Sequence, residues 1–346
     1  MSASPWVVIL AGGVGSRFWP LSTPTRPKQL LPLVDDRPLL RNTVDRLLPM
    51  VDPAHVLVLT NDALVAAIGA LLPEVPSRNL IAEPRPAGTA AALTWAAADI
   101  ARQAGDDAVM ISVHADWAIG DAEGFRGALR RAADVARAEH ALVTVGVIPS
   151  RPDPGFGYIR PGEPLASGGR RVAQFVEKPS RERAAEMVRD GFLWNSGIFV
   201  WRVGDFLREV RAHTPEVAPA LDAAGGDIAR FFGHVRSVSV DVGVLERTDR
   251  VVVIPGDFGW DDVGTWAALA RVRHRDAAGN ATSGAVHVVD GRANVVHAEG
   301  STVVLYGVDE LVVVVREGMT LVTTKDRAAN LKTLLEALPP SVRDRP

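Results

Sequence analysis

The sequence predicts an α/β protein: a Rossmann-like, mostly parallel sheet flanked by helices, followed by a small β unit resembling a left-handed β-helix. Three observations carry that prediction. Strand-like apolar runs alternate with single helix-like segments through the first half, the rhythm that lays strands parallel and covers both faces of their sheet. The first apolar run, Trp6 to Ala11, stops abruptly at Gly12-Gly13-x-Gly15, where the backbone can turn sharply and come close to a ligand. From Gly279 the rhythm changes to short Val-rich pieces set between Gly, Asn and Asp turns, with no strict sequence repeat. Residues 1–275 are therefore expected to form one domain and 279–346 a second, β-rich one with a terminal helix.

The elements follow in order. After the Trp6 strand, the patterns predict a helix at Pro38–Leu48, a strand at His55–Thr60, a helix at Asp62–Leu72 and a strand at Asn79–Ala82. An Ala-rich helix over Thr89–Arg102, with Thr89 as its N-cap, precedes a strand at Ala108–Val113, a helix at Glu123–Ala138 and a strand at Ala141–Val147. Then come Pro152–Ile159 as a turn-rich entry to a strand, a strand at Arg171–Val176, and a helix over Ser180–Asp190 begun by Ser180. Phe192–Trp201 reads as a strand interrupted by Asn195-Ser-Gly197, Val203–Phe232 as several helices, Val251–Ile254 as a strand and Val263–Arg273 as a helix. The tail supplies strands at Ala285–Val289, Asn294–His297, Thr302–Tyr306, Leu311–Val315 and Thr320–Thr324, and a helix at Arg327–Leu338. Val312–Val315 is so β-prone that an exposed edge there would invite a second copy, so a homodimer contact is expected at that strand.

Composition bounds the function. Hydrophobic residues make up 47% and charged residues 23%, the balance of a globular protein with ample core, and the net charge of −3 gives no electrostatic case for nucleic acid or an anionic membrane. There is no cysteine, which excludes a disulfide framework, thiolate catalysis and Cys-ligated metal. With no signal-like leader and no apolar run of membrane-spanning length, a cytoplasmic location is expected. The eight histidines show no ligand spacing.

The glycine stretch has the build of a phosphate loop. Leu10, Ala11, Gly12, Gly13, Gly15 and Ser16 offer backbone groups, and two cations follow: Arg17, and Lys28 in a loop that Pro20, Pro24 and Pro27 keep from becoming helix. A P-loop needs Lys-Ser or Lys-Thr after its glycines, and a dinucleotide turn needs a third glycine where Arg17-Phe18-Trp19-Pro20 stands, so neither fits. The run Leu10-Ala-Gly-Gly-Val-Gly-Ser-Arg17, Pro20-Leu and Arg26-Pro-Lys-Gln29 instead resembles the signature of the sugar-1-phosphate nucleotidylyltransferases, in particular the group that joins GTP to mannose 1-phosphate.

The resemblance covers roughly residues 6–335 and implies a nucleotide-diphospho-sugar transferase fold. It also implies further roles. Asp116, in His114-Ala-Asp-Trp117, and Asp262, in Gly259-Trp-Asp-Asp-Val-Gly-Thr-Trp266, match the family segments that hold a divalent cation, and two carboxylates with water and phosphate oxygens suit Mg²⁺. Lys178 and Glu177, in Phe175-Val-Glu-Lys-Pro179, match the segment that meets the sugar phosphate and the sugar hydroxyls. Ser239-Val-Asp-Val-Gly-Val-Leu-Glu246 matches another family segment, in which Asp241 orients ligand groups or caps a helix.

Glu83, Gly157 and Asn195 are read from chemistry, and Gly88 and Thr89 from the resemblance. Glu83, just after the strand Asn79–Ala82, could accept from N1–H and the N2 amine of guanine, an edge that thymine and uracil lack. Gly88 and Thr89 are expected on the nucleotide side, although Ala87-Gly88 stands where the mannose-specific group carries Arg-Asn, which removes a cation and an amide. Gly157 offers backbone to the sugar, and the amide of Asn195 can both donate to and accept from its hydroxyls. The expected reaction is attack of the sugar phosphate on the α-phosphorus of GTP, with Arg17, Lys28 and Lys178 as the catalytic cations. Transfer from UTP or dTTP to glucose 1-phosphate, and a regulatory subunit without turnover, stay open as alternatives. At this length the extra isomerase domain of longer members, and with it a bifunctional enzyme, is not expected.

Overall fold

In the computed structural model, residues 4–13 and 15–343 are described, the side chain of Ser16 excepted. They group into two compact units: one of residues up to 12, 45–114 and 121–260, the other of residues 13–44, 115–120 and 261 onward.

The first unit is built on a nine-stranded sheet. Its strands are β1 (Trp6–Leu10), β2 (Val56–Asn61), β3 (Leu80–Glu83), β4 (Val109–His114), β5 (Leu142–Val147), β6 (Tyr158–Pro164), β7 (Arg170–Val176), β8 (Leu193–Arg202) and β9 (Val251–Gly256). They are ordered β3-β2-β1-β4-β8-β5-β9-β7-β6. The pairs β1–β2, β2–β3, β1–β4 and β5–β9 are parallel, as the alternating pattern predicts. The sheet is nevertheless mixed, because β8 runs against both β4 and β5, and β7 runs against β9. Apolar β-branched runs specify burial on both faces and say nothing about direction.

The Ala-rich helix Gly88–Ala104 buries Ala90 through Ala98 and packs against the helix Val203–His213. Small side chains let the two helices approach while Trp95, Phe206 and Phe231 fill the space around them. The register of β8 shifts between Phe199 and Asn195, so the predicted polar notch is a real irregularity in the strand. Ser180 caps its helix by accepting from the amide of Arg183.

The second unit gathers the segment after Gly13 onto the tail. Phe18, Trp19, Leu21, Leu31 and Leu33 share one core with Trp266, Leu269, Val295, Val312 and Val314. The tail strands are β10 (Ala281–Ser283), β11 (Val286–Val289), β12 (Val295–Ala298), β13 (Val303–Tyr306), β14 (Leu311–Arg316) and β15 (Met319–Thr324). β10, β12 and β14 stack in parallel, β11 and β13 form a second parallel pair, and β15 folds back antiparallel on β14.

Buried asparagines stitch successive rungs: Asn280 Oδ1 accepts from the amide of Asn294, and Asn294 Oδ1 accepts from the amide of Leu311, at 2.9 Å each. The linked positions are 14 and then 17 residues apart, so the repeat is one of structure and leaves no fixed period in the sequence.

Three expectations are corrected here. Val312–Val315 is not an edge: β14 is paired on both sides and Val312, Val313 and Val314 are buried, so the dimer contact expected there has no open strand to use. The helix expected over Val263–Arg273 is confined to a 3₁₀ turn at Trp266–Ala268 and one turn at Leu269–Val272, because Val263 takes φ 47° and Thr265 caps only from Trp266. The terminal helix is two pieces, Lys325–Ala328 and Lys332–Ala337, broken where Asn330 Oδ1 accepts from the amide of Lys332.

Candidate functional site

In the second unit, Pro27 starts a 3₁₀ turn over Lys28–Leu30, closed by the amides of Leu30 and Leu31 donating to the carbonyls of Pro27 and Lys28. That turn buries Lys28, which is 5% exposed. Its Nζ donates to Asp116 Oδ2 at 2.8 Å and to the carbonyl of Asp262 at 2.7 Å, and lies 5.8 Å from the centre of the Phe18 ring. A charged amine out of water needs such partners. Gly15 makes the approach possible: at φ 66° it carries no Cβ, and one would stand 2.3 Å from the Cβ of Lys28. Gly13 has no such packing reason, since a Cβ there would meet nothing within 4 Å.

Asp262 is presented by a strained turn. Val263 sits at φ 47°, a conformation costing a β-branched residue on the order of 1–3 kcal/mol. Asp261 holds the turn: its Oδ1 accepts from the amide of Val263 at 2.9 Å while Arg271 binds both its oxygens, at 2.7 and 3.1 Å. The adjacent aspartates are thereby told apart, with Asp261 committed to Arg271. The Asp262 carboxyl is pushed up by burial and by the charge of Asp261, against the opposing pull of Lys28, Arg17 and Arg271. A Cβ on Gly264 would lie 2.5 Å from Asp262 Oδ2 and 3.3 Å from Arg17 Nη1, so this glycine keeps room beside both groups. Arg17 itself is exposed, in the short turn Ser16–Phe18.

Among the described residues no three His, Cys, Asp or Glu side chains gather as a metal cluster. Lys28 Nζ meets a carboxylate oxygen of Asp116 and the main-chain carbonyl of Asp262, and the two carboxylates are hard oxygen donors of the kind that suits Mg²⁺ shared with phosphate oxygens and water.

The first unit holds the other expected residues. The strand end at Leu10 and Ala11 is tied to β2, Ala11 N donating to the carbonyl of Leu59 at 2.8 Å and Thr60 Oγ1 to the carbonyl of Ala11 at 3.2 Å. Glu83 ends β3, with its Oε1 3.7 Å from where a Cβ on Gly12 would stand. Burial pushes its carboxyl up to about 7. Thr89 is not the N-cap, as the helix begins at Gly88 and its cap residue, Ala87, makes no side-chain bond. Thr89 Oγ1 instead accepts from the amide of Val240 at 2.9 Å, and Gly88, at φ 81°, lets the carbonyl of Val238 pass 2.3 Å from its missing Cβ. Gly88 therefore has a packing reason: an Asn there would carry a Cβ into Val238.

Gly157, Glu177, Lys178 and Asn195 come together. A Cβ on Gly157 would lie 2.7 Å from Glu177 Oε2 and 3.4 Å from the Cβ of Asn195, whose amide N–H donates to the carbonyl of Gly157 at 2.8 Å. Lys178 sits at φ 44° with its side chain 66% exposed, and its Nζ donates to Glu177 Oε1 at 2.7 Å. Asn195 Nδ2 donates to Asp241 Oδ1 at 2.7 Å. Asp241 opens a π-helical turn, and burial raises its pKa against the pull of Asn195. Its place is thus beside Asn195, one of the residues expected on the sugar side. Sequence reasoning missed Asp261 and Arg271 as the support of Asp262; their ten-residue separation gave no periodic signal.

Residues 6–279 match the nucleotidyl transferase family. Over 96% of its length the chain is 35% identical to mannose-1-phosphate guanylyltransferase of Escherichia coli K12, covering 73% of that protein. It is 36% identical to mannose-1-phosphate guanylyltransferase of Klebsiella pneumoniae, covering 96% of this chain and 73% of the relative. A solved structure described as mannose-1-phosphate geranyltransferase from Thermus thermophilus superposes with a TM-score of 0.89 at 33% identity, covering 96% of this chain and 99% of the other.

Proposed function

The chain belongs to the nucleotidyl transferase family, and we propose that it is an enzyme transferring guanylyl from GTP to α-D-mannose 1-phosphate, giving GDP-mannose and diphosphate. The observation that carries the reading is Lys28, an ammonium buried against Asp116 and the carbonyl of Asp262 in a loop that only a glycine at position 15 allows.

The sugar phosphate is an anion at neutral pH, so one of its oxygens attacks the α-phosphorus in line with the departing diphosphate and no general base is needed. Charge is the obstacle. Lys28 and Arg17 are assigned to the phosphates, where fixed cations offset charge as it develops without reorganising. Lys178 is assigned to the sugar phosphate, with Glu177, Asn195 and the backbone of Gly157 orienting the sugar hydroxyls. Glu83, when ionised, is assigned to the N1–H and N2 amine of guanine. The loop Leu10, Ala11, Gly12, Gly13, Gly15 and Ser16 is assigned to the nucleotide, as are Gly88 and Thr89. Mg²⁺, held by Asp116 and Asp262, would neutralise phosphate oxygens when bound.

The division into residues 1–275 for chemistry and 279–346 as a β adjunct, left-handed winding of its coils, a homodimer and a cytoplasmic location belong to the same proposal. They rest on the family resemblance and on composition. Among the described residues no helix is long and apolar enough to cross a membrane.

Diphosphate release from the purified enzyme with Mg²⁺, across a panel of nucleoside triphosphates and sugar 1-phosphates, tests the reading. Release is expected to be fastest with GTP and mannose 1-phosphate. A preference for UTP or dTTP with glucose 1-phosphate, or binding of GTP with no release from any pair, would overturn it.

A further inference from the structure

The loop that carries Lys28 is gripped at its carbonyls by the side chains of Trp266, Arg273 and Arg316. Trp266 Nε1 donates to the carbonyl of Trp19 at 3.0 Å, Arg316 Nη1 to those of Pro20 and Leu21 at 3.3 and 3.4 Å, and Arg273 Nε to that of Leu33 at 2.5 Å. Next to Lys28 the grip changes character. Arg26 forms a fork with both oxygens of Glu299, each at 3.0 Å, the geometry of a strong and directional ion pair.

Glu299 is itself backed by a buried chain. Arg273 Nη2 lies 3.0 Å from His297 Nδ1, and a guanidinium can only donate, so Nδ1 accepts. The ring proton then sits on Nε2, 3.4 Å from Glu299 Oε1. Burial and the neighbouring Arg273 charge hold His297 down to about 4, which keeps the imidazole neutral and its donor–acceptor order fixed at neutral pH. Arg273 and His297 are 7% and 2% exposed. Four side chains thus run from the core of the second unit to the residue two places before Lys28.

We infer that Glu299, oriented by His297 and Arg273, is a positioning residue for Lys28, acting through Arg26 and the fixed φ of Pro27. The inference rests on the proposed role of Lys28. With the fork intact, the turn Lys28–Leu30 holds one orientation and the ammonium stays against Asp116. Without it, Arg26 and the turn relax, and a catalytic group misplaced by about 1 Å can lose up to about 10² in rate.

The test uses the full chain with Glu299→Ala, Glu299→Gln and the swap of Arg26→Glu with Glu299→Arg. Expected are a fall in kcat of about tenfold for Glu299→Ala and a smaller one for Glu299→Gln, which keeps one acceptor oxygen, with KM for both substrates nearly unchanged. The swapped pair is expected to recover part of the loss. A second readout needs no turnover: hydrogen exchange of the amides of residues 28–33 is expected to quicken in Glu299→Ala while the β10–β14 rungs stay protected. Unchanged exchange in that segment, or exchange quickened equally throughout the chain, would overturn the inference, and Glu299→Gln decides it should Glu299→Ala not fold. If the wild type releases no diphosphate from any pair, the proposed function fails while the exchange result still rules on the positioning.

Discussion

Lys28 and Lys178 are assigned to the same chemistry, yet the chain holds them in opposite ways. Lys28 is buried, with a side chain 7% exposed, and meets Asp116 and the carbonyl of Asp262 before any ligand arrives. Lys178 has a side chain 66% exposed and pairs with its immediate neighbour Glu177. The difference is one of preorganisation. A cation already dehydrated and oriented acts on developing charge without reorganising, whereas an exposed one must give up water and a rotamer when its ligand binds. The first kind of contact should show in turnover and the second in affinity.

Substitutions sharpen or break that distinction. Lys28→Ala is expected to lower kcat by about 10²–10³ with little change in either KM, measured by steady-state diphosphate release; undiminished turnover would remove the contrast. Lys178→Ala is expected to raise KM for mannose 1-phosphate by about tenfold, since one ion contact is worth roughly 1.5–3 kcal/mol before solvent screening reduces it. The wild-type KM should also rise with salt, and that rise should flatten in the variant. Gly157→Ala should have a milder effect on the same constant. Its Cβ would press on Glu177 Oε2 at 2.7 Å, the movable end of a side chain, so a few-fold rise in KM for the sugar phosphate is expected with the nucleotide KM unchanged.

The smallest effect concerns Glu83, whose carboxyl burial raises from 4.5 to about 7. Protonation removes the acceptor that guanine needs, so KM for GTP is expected to climb as pH falls through about 7, and Glu83→Gln should flatten that limb. The sign for folding is the reverse. The native state binds the extra proton between 4.5 and about 7, so this group's contribution to stability falls as pH rises through that window, and the slope of Tm against pH should lessen in Glu83→Gln.

Much of this arrangement is legible in the residues. A loop needing free backbone and a cation singles out Gly15 and Lys28, the family resemblance adds Asp116, and the structure brings the three together although Asp116 lies 88 residues from Lys28. Motif register alone separates Asp262 from Asp261, and the Arg271 fork gives the physical reason. What stays hidden is long-range. The reversed direction of β8 leaves no trace in an apolar run, and the β-propensity of Val312–Val315 does not foretell that β15 covers it. Thr89 reads as a cap because it precedes an Ala-rich run, whereas its hydroxyl is claimed by Val240, about 150 residues further on. His297 gives no signal either, since its partners are Arg273 and Glu299 and no other histidine is needed to explain it.

The asparagines in the tail bear on how such a chain can change length. Asn280 and Asn294 occupy the same place on consecutive rungs, and each spends its Oδ1 on the amide of the rung above. The rungs they link are 14 and 17 residues apart, Ala281 facing Val295 and Val295 facing Val312, so the link fixes where each strand begins while the turns between strands take up the difference in length. Growth of this region is therefore constrained at its strands and free in its turns: insertions that keep each asparagine opposite the next amide should stack, and those that shift a strand's register should leave a buried amide unpaired.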